Sequence, residues 1–464
     1  MEPLTLAQIA DFAGGTFSGG DGTTTVSRVS TDSRTLQAGD LFVPLRGENF
    51  DGHKFIRQAI ERGAAGAIVE EKWSGDVPAS FGLIRVGDTL LGYQTLAANY
   101  RASLPLKVIA ITGSNGKTST KDFVAATLAK RFRVTKTEGN FNNHVGLPQT
   151  MLAGNREDQI AVWEIGMNHP GEIAALAKLA APDVAIITNI GIAHIEFMGS
   201  RDAIAQEKGA LAEAVGAGGS VILNADDPYS ESIAKRTRGK TVFAGIENGS
   251  VRAIDITQSS TGSEFTILEG AHRCRAQLPV PGIHMVQNAM LAVAAGRVFG
   301  LSIEECAAGL ASTPLTKARL QIREIDGIQF IDDSYNANPD SMKAALRTLV
   351  ELDAEGRRIA VLGEMGELGA ESEQGHREVG VAAATLHIDE LIAVGAMGAT
   401  IARAAREAGL EQSVGVDSQK DAAELLEKRA GAGDLILIKG SRSARMERVM
   451  EEFAKNRRTE EVAS

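Results

Sequence analysis

The amino-acid sequence predicts an α/β fold divided into three domains. Short apolar runs alternate with segments of helical periodicity along most of the chain, and turns rich in glycine, which occurs 50 times, separate them. The length of 464 residues suggests about three domains, because one domain usually holds about 100–200 residues. Breaks near Pro105 and Pro314 place these domains at residues 1–102, 103–314 and 315–464.

Each predicted domain carries its own series of strands. In the first, residues 40–45 and 67–69 are apolar runs of strand length, with helical spacing between them. In the second, four apolar runs predict a parallel sheet with crossover helices, since such strands are buried on both faces. These runs are residues 106–112, 160–165, 184–190 and 221–224.

Residues 251–280 follow a different pattern, because Ala253, Asp255 and Thr257, and then Phe265 and Ile267, recur with a period of two. This alternation predicts an antiparallel hairpin inserted late in the middle domain. Beyond it, further short apolar runs restart the alternation of strand and helix and predict a third, Rossmann-like α/β unit. They are residues 330–331, 359–362, 391–394 and 435–438.

Charge and composition exclude several classes of protein. The net charge is −11 and no long basic stripe occurs, which disfavours a nucleic-acid partner. The two cysteines, Cys274 and Cys306, form no CxxC pair and indicate a reducing compartment. We expect a cytoplasmic protein, because the first residues lack the pattern of a signal peptide and no apolar run reaches the ~18–20 residues of a membrane span.

The strongest chemical signal is the stretch 106–119, LKVIAITGSNGKTS, in which an apolar strand enters a glycine-rich loop and then an amphipathic helix. In this context backbone N–H groups close on phosphate, Lys117 reaches the outer phosphates and Thr118 offers a hydroxyl to Mg²⁺. Ile111 replaces the first glycine of the general GxxxxGK[ST] pattern, so the match is to a variant. An ordinary glycine turn is the alternative. The predicted nucleotide ligands are Gly113, Ser114, Asn115, Gly116, Lys117, Thr118 and Ser119.

Candidate metal ligands follow the next strands, where open α/β sheets place their sites. Glu164 ends the run 160–165, and His194 follows the run 184–190. One carboxylate with phosphate oxygens suffices for Mg²⁺, whereas histidine is a less usual ligand. Taken alone, each residue is explained as well by a polar group at a strand end.

Two further clusters are ambiguous by themselves. His284 and Asn288 lie one helical turn apart, so an amide could read an adenine edge, or both could belong to the first turn of a helix. The polar run 332–340 ends a strand and precedes a helix, which suggests a site. A turn with a helix N-cap at Asp340 or Ser341 explains part of that run.

Taken together, these motifs resemble those of the Mur ligase family, enzymes of peptidoglycan precursor assembly, and the resemblance covers nearly the whole chain. It implies the three-domain Mur ligase architecture, with a central P-loop ATPase domain, an N-terminal domain for a UDP-linked substrate and a C-terminal ligase domain that closes over nucleotide. The motifs that carry it are residues 31–34, 39–53, 112–119, 137–148, 164–166, 193–194, 333–342, 362–369 and 439–443.

Within that family the chain is most similar to the branch that joins D-alanyl-D-alanine to UDP-N-acetylmuramoyl-tripeptide. The resemblance implies that ATP and Mg²⁺ activate the tripeptide carboxylate as an acyl phosphate, which the dipeptide amine then attacks. The expected partners are these two substrates, and nothing requires more than a monomer. Identity of the third peptide residue, diaminopimelate or lysine, is not readable from these motifs.

Specific roles follow from the resemblance, position by position. Lys117, Glu164, His194 and Lys208 would be catalytic, with Thr118, Glu164, His194 and a carbamate on Lys208 holding magnesium. Asn288, Arg319 and Asp333 would contact adenine, ribose or phosphate. The matching substrate-binding positions are Ser33, Arg34, Gly47, Asn142, Asn143, Asn336 and Asn338.

Three alternatives stay open at this point. A sister Mur ligase that adds the third amino acid would carry an Asp-Asn-Pro-Arg motif, but Asp340 after Pro339 is followed by Ser341. A folylpolyglutamate-synthase-like ligase would not explain the motifs at 31–53. A nucleotide-binding module without catalysis would need only the P-loop.

Overall fold

The computed structural model describes residues 1–47, 49–314 and 317–463, with side chains up to residue 457. Glu48, within the motif 39–53, and residues 315–316, at the predicted start of the third domain, lie outside the described residues. Three main sheets follow one another along the chain. Each of these sheets is built within one of the predicted domains, and each sheet with its helices is called a unit below. The exact limits of the domains stay predictions.

The first sheet has five strands in the order β2-β9-β8-β5-β4, all parallel except β2 against β9. Helix α3 follows it and packs on the next unit, where the Tyr100 hydroxyl donates to the Gly154 carbonyl at 2.7 Å. The strands are β1 Leu4–Thr5, β2 Thr16–Ser18, β3 Thr25–Val26, β4 Val29–Ser30, β5 Leu41–Phe42, β6 Arg46–Gly47, β7 Phe50–Asp51, β8 Gly66–Glu70 and β9 Gly82–Val86. The helices are α1 Leu6–Ala13, α2 Ile56–Glu61 and α3 Thr89–Ala102.

The central sheet has nine strands in the order β11-β12-β10-β13-β14-β15-β16-β17-β18. Its strands are β10 Lys107–Thr112, β11 Val134–Lys136, β12 Ile160–Glu164, β13 Val184–Ile187, β14 Ser220–Asn224, β15 Lys240–Gly245, β16 Val251–Ser259, β17 Gly262–Glu269 and β18 His272–Leu278. The helices are α4 Lys117–Leu128, α5 Gly146–Ala153, α6 Glu172–Ala180, α7 Ile195–Met198, α8 Arg201–Glu213, α9 Ser230–Ala234, α10 Ile283–Val298 and α11 Ile303–Ala311.

The parallel strands predicted here are confirmed, but the predicted hairpin is incomplete. Three antiparallel strands, β16 to β18, continue the central sheet, because β16 also pairs in parallel with β15. The third strand was missed because its sequence, HRCRAQL, is mostly polar, and only Ala276 and Leu278 are buried. The antiparallel segment is therefore an extension of the sheet that carries the P-loop.

The third sheet has six strands in the order β19-β20-β24-β21-β22-β23, and only β19 pairs antiparallel. Its strands are β19 Gln321–Ile325, β20 Ile328–Asp333, β21 Arg358–Leu362, β22 Glu390–Val394, β23 Ser413–Val416 and β24 Leu435–Lys439. The helices are α12 Pro339–Glu351, α13 Ser372–Thr385, α14 Ala396–Glu407, α15 Gln419–Arg429 and α16 Glu447–Ala463. In the described part of the chain, no helix has the length and apolar character needed to cross a bilayer.

Candidate active site

A cavity of about 800 Å³ lies between the carboxyl ends of the central and third sheets. Parallel strands bring their carboxyl ends to one edge, so the loops that follow β10, β12 and β13 meet there. Loops that follow β20, β21 and β24 of the third sheet face them across the cavity. Predicted residues that line it are Ser114, Asn115, Gly116, Lys117, Thr118, Ser119, Asn142, Asn143, Glu164, His194, Asn288, Arg319, Asp333, Asn336 and Asn338.

The loop between β10 and α4 has the tight geometry that phosphate binding requires. Gly113 has a φ of +153°, and a Cβ there would stand 1.8 Å from the Thr188 hydroxyl, so only glycine fits. Lys117 donates from Nζ to the Gly113 carbonyl at 2.8 Å, which folds its side chain back over the loop. Desolvation lowers the pKa of the Lys117 ammonium, although Glu164 nearby favours its charged form. Gly113 itself does not line the cavity.

Oxygen ligands lie together beside this loop. The Thr118 hydroxyl donates to Glu164 Oε2 at 2.8 Å, and Asn142 Nδ2 donates to Glu164 Oε1 at 2.7 Å. Glu164 is 3% exposed, so these contacts hold its carboxylate in one orientation. Among the described residues no three His, Cys, Asp or Glu side chains gather to hold a metal ion. The Thr118 and Glu164 oxygens nevertheless fit Mg²⁺, which prefers oxygen and completes its shell with phosphate and water.

His194 lies at the cavity wall in a left-handed backbone conformation, with a φ of 65°. Its Nδ1 is 2.6 Å from Glu367 Oε2 of the third unit, a close contact without the angle of a hydrogen bond. This contact lowers the pKa of Glu367. A second link joins the same segments, because the Glu196 amide donates to the Glu367 carbonyl at 3.3 Å.

Lys208, on α8, is 1% exposed and does not line the cavity. Burial, and secondly the charge of Lys117, hold its pKa well below the ordinary value. Its neighbour Glu207 accepts from the amides of Gly171 and Ile173, at 2.9 and 2.8 Å, and ties α8 to the start of α6. The lysine is thus a buried amine that favours its neutral form.

Residues after position 316 reach the P-loop from the third unit. Arg319 Nη2 donates to the Thr118 hydroxyl at 3.0 Å, while its guanidinium lies 4.3 Å from the centre of the Tyr335 ring. Asp333 Oδ2 accepts from Lys439 Nζ at 2.6 Å. From the central unit, Asn288 packs against Gly116, where a Cβ would stand 2.6 Å from its Nδ2.

The predicted asparagines of the substrate site have partners within the protein. Asn143 Oδ1 accepts from the amides of Val145 and Gly146, and Asn336 Oδ1 accepts from the Ala337 amide. Asn338 is the N-cap of α12, where its Oδ1 accepts from the Ser341 amide at 3.0 Å. The predicted cap at Asp340 or Ser341 is therefore wrong, because Pro339 occupies the first helical position and the residue before it is extended.

Ser33, Arg34 and Gly47 belong to the first unit and do not line this cavity. Ser33 is 8% exposed, whereas the Arg34 side chain is 83% exposed and pairs with Asp32 at 2.8 Å. Any contact that they make with substrate is separate from the P-loop. The structure therefore divides the predicted residues between two places.

Sequence reasoning did not single out several polar residues that lie at the cavity. Asn189 holds the P-loop, because its Oδ1 accepts from the Asn115 amide at 2.9 Å. Glu367, Tyr335 and Lys439 line the third-unit side. The signal that could have found them is their position at or after the end of a strand. Tyr335, Glu367 and Lys439 also lie within the family-like motifs 333–342, 362–369 and 439–443. Glu367 and Lys439 contact His194 and Asp333, which are more than 100 positions away along the chain, so local spacing could not predict these two pairs.

Comparison with known proteins gives a consistent result. Three family profiles match: Mur ligase family, catalytic domain, at residues 25–80; Mur ligase middle domain at 111–296; and Mur ligase, glutamate ligase domain, at 318–442. UDP-N-acetylmuramoyl-tripeptide–D-alanyl-D-alanine ligase of Bacillus subtilis is 40% identical over 456 residues, which are 98% of this chain and 99% of that protein. The chain belongs to the Mur ligase family. The namesake enzyme of Escherichia coli is 36% identical, over 98% of this chain and 99% of its own.

Solved structures agree with this membership. MurF from Acinetobacter baumannii superposes with a TM-score of 0.89 at 33% identity, covering 98% of this chain and 99% of that chain. MurF from Thermotoga maritima, in complex with ADP, gives 0.83 at 29% identity, covering 92% of this chain and 97% of its own. The Mur ligase fold expected from the sequence is therefore confirmed over nearly the whole chain.

Proposed function

We propose that this Mur ligase is an ATP-dependent enzyme that joins D-alanyl-D-alanine to UDP-N-acetylmuramoyl-tripeptide, through an acyl phosphate. The observation that carries the proposal is one cavity in which Lys117 and Thr118 of a P-loop lie beside Glu164 and face Arg319. The full-length relatives that bear the name of this activity support the choice of substrates.

In the first step the terminal carboxylate of the tripeptide attacks the γ-phosphorus of ATP. A carboxyl O–P bond forms, the bond from phosphorus to the β,γ-bridging oxygen breaks, and ADP leaves. Both reactants are anions, so the enzyme must align them and neutralise charge. Lys117 and Arg319 supply cations there, and the backbone N–H groups of residues 116–118, at the start of α4, would supply further donors.

In the second step the amine of the dipeptide attacks the acyl carbon. The resulting tetrahedral intermediate expels phosphate, the nitrogen loses its proton, and the amide bond is complete. Asn336 and other residues of 333–342, together with Gly366 and Glu367 of 363–369, line the side of the cavity that we propose for the dipeptide. Ser33, Arg34 and Gly47 would hold the uridine nucleotide on the first unit, away from the reacting carboxylate.

Thr118, Glu164 and His194 would hold Mg²⁺, and the ion when bound would supply positive charge against the phosphate oxygens. Asn142 fixes the Glu164 carboxylate in position for this task. We further propose that Lys208 carries a carbamate, formed when its neutral amine attacks CO₂ and loses a proton. Burial favours the neutral amine, and the product is an anion near the Lys117 ammonium. Its test is ¹³C NMR of enzyme equilibrated with ¹³CO₂, in which Lys208→Met must lack the carbamate signal; equal signals in both proteins contradict the modification.

The ligase activity is tested by phosphate release from a panel of substrates at fixed ATP and Mg²⁺. We expect turnover only when UDP-N-acetylmuramoyl-tripeptide and D-alanyl-D-alanine are both present. Turnover with UDP-N-acetylmuramoyl-dipeptide and a diamino acid would support the sister ligase instead, and turnover with folate and glutamate would support a folylpolyglutamate synthase. Nucleotide binding with no turnover on any pair would favour a non-catalytic module. A panel with tripeptides ending in lysine or diaminopimelate reports the third residue.

We also propose that the enzyme works as a monomer in the cytoplasm, where ATP is present. Cys274 and Cys306 are free thiols, as a reducing compartment requires. Sedimentation at micromolar concentration tests the first statement. Fractionation of cells, followed by detection of the chain, tests the second.

A further inference from the structure

A direct side-chain hydrogen bond joins the third unit to the P-loop. Asn338 Nδ2 donates to Asn115 Oδ1 at 2.7 Å, between residues 223 positions apart. Asn338 is 8% exposed, so this bond is largely withdrawn from water. Such a bond can influence the loop only if both partners are held firmly on their own sides.

On the third unit, Asn338 is held by the start of α12. Its backbone is extended, with φ −141° and ψ 168°, as Pro339 requires of the residue before it. Its Oδ1 accepts from the Ser341 amide, and its own amide donates to the Ser341 hydroxyl, both at 3.0 Å. Because the cap needs the amide oxygen, the NH₂ group is left to point at Asn115.

On the central unit, the backbone of Asn115 is held by the loop after β13. Its carbonyl accepts from the Thr188 hydroxyl at 2.5 Å and from Asn189 Nδ2 at 3.1 Å, and its amide donates to Asn189 Oδ1 at 2.9 Å. The side-chain oxygen is the remaining acceptor, and Asn338 takes it. Asn115 therefore receives support from both sheets.

A second contact lies beside the first. Asp340 Oδ2 accepts from the Ile192 amide at 3.2 Å, in the loop that carries His194. Gly191 permits this approach, because a Cβ there would stand 2.5 Å from the same carboxylate oxygen. The start of α12 thus touches both loops that carry the proposed phosphate and metal groups.

We propose that Asn338 is a positioning residue, which fixes the P-loop through Asn115 when the third unit is docked. This inference rests on the proposed ATP site but assigns Asn338 a task different from direct contact with substrate. The bond would keep Asn115 and the backbone N–H groups that follow it in one conformation. Loss of the bond should then weaken ATP binding more than it slows chemistry.

The test uses two variants that keep the helix cap. Asn338→Ser caps α12 but is too short to reach Asn115, and Asn338→Asp caps it while placing an anion against the Asn115 oxygen. For Asn338→Ser we expect KM for ATP and Kd for ADP to rise about 3- to 10-fold, as for one lost hydrogen bond, with kcat nearly unchanged. For Asn338→Asp we expect a larger rise in both constants.

Matched controls separate positioning from capping. Ser418→Ala removes the cap of α15, in which the Ser418 hydroxyl accepts from the Asp421 backbone amide. This helix start does not line the cavity, so the change should lower Tm without altering KM for ATP. Asn115→Ala in the Asn338→Ser background should add little to the effect of either single change, because both remove the same bond. Fully additive effects, or an unchanged Kd for ADP in Asn338→Ser, would overturn the proposal.

The two proposals fail in different ways. Wild-type enzyme that releases no phosphate on its substrates contradicts the ligase function, whatever the variants do. Wild-type enzyme of normal activity with variants of normal ADP affinity contradicts only the role of Asn338. Kd for ADP, measured by calorimetry without the peptide substrates, keeps this second test independent of turnover.

Discussion

The two sheet edges that face the cavity hold their polar groups in different ways. On the central edge Lys117, Thr118 and Glu164 find partners within their own unit. On the third edge Asp333 pairs with Lys439 of its own unit, but Arg319, Asn338 and Glu367 also reach partners across the cavity. The difference teaches that the central edge can hold a phosphate site by itself, whereas the third edge acts through docking. Substitutions on the two edges should therefore differ in their effects on activity and stability.

The largest effect is expected on the central edge. Lys117→Ala removes the cation that we propose beside the γ-phosphate, and we expect kcat to fall by about 10²- to 10³-fold, as for the loss of one electrostatic contact in a transition state. Circular dichroism should show an unchanged fold. The control is Lys130→Ala, an exposed lysine beyond the end of the same helix, which should keep normal activity. Bond formation at the normal rate in Lys117→Ala would remove the basis of the proposed function.

On the third edge, stability and function should change together. Asp333→Ala leaves the ammonium of Lys439, 3% exposed, without its carboxylate, which should cost about 3 kcal/mol in the free energy of unfolding. Urea unfolding followed by circular dichroism measures this loss, and KM for ATP should rise as well. Arg377→Ala breaks the more exposed pair with Glu407 in the same unit and should change stability little. Equal losses of unfolding free energy in both variants would contradict the distinction between the buried pair and the exposed pair.

His284, where the two edges meet, should make stability depend on pH. Burial lowers its pKa to about 4 from an ordinary 6.5, with Asp333 and Lys439 as opposing charged neighbours. Between these values the unfolded chain binds more protons than the folded one, so stability is complete above pH 6.5 and falls as pH drops towards 4. We expect a loss of roughly 3 kcal/mol over this range. The loss should be smaller in His284→Asn and unchanged in His387→Asn, an exposed position; equal losses in all three proteins would refute the assignment.

The smallest effect on the fold is expected outside both edges. Arg34→Ala removes an exposed side chain whose pair with Asp32 is accessible to water, so Tm should not change measurably. KM for the UDP-linked substrate should rise several-fold, while KM for ATP should not. Arg57→Ala, exposed in the same unit, is the control and should alter neither constant. A rise in KM for ATP alone in Arg34→Ala would count against a separate uridine site.

Local sequence predicted much of the fold, because buried parallel strands are apolar runs of fixed length. The strands around 107–112, 160–164 and 358–362 lie where those runs predict them. Prediction was wrong where local pattern carries little information. The sequence of strand β18 is too polar to be distinguished from a loop. Asn338 is the N-cap of α12 because Pro339 restricts the residue before it to an extended backbone, which suits an N-cap.

By itself the sequence determined the glycine-rich loop, Lys117 and Thr118, and the order of the strand-end motifs, since these depend on residues close together along the chain. Only the tertiary structure decided that Arg319 reaches Thr118, that Glu367 lies beside His194 and that Asn338 holds Asn115. Each of those pairs spans more than 150 positions. Such contacts depend on how the central and third sheets dock, and no local spacing along the chain encodes that geometry.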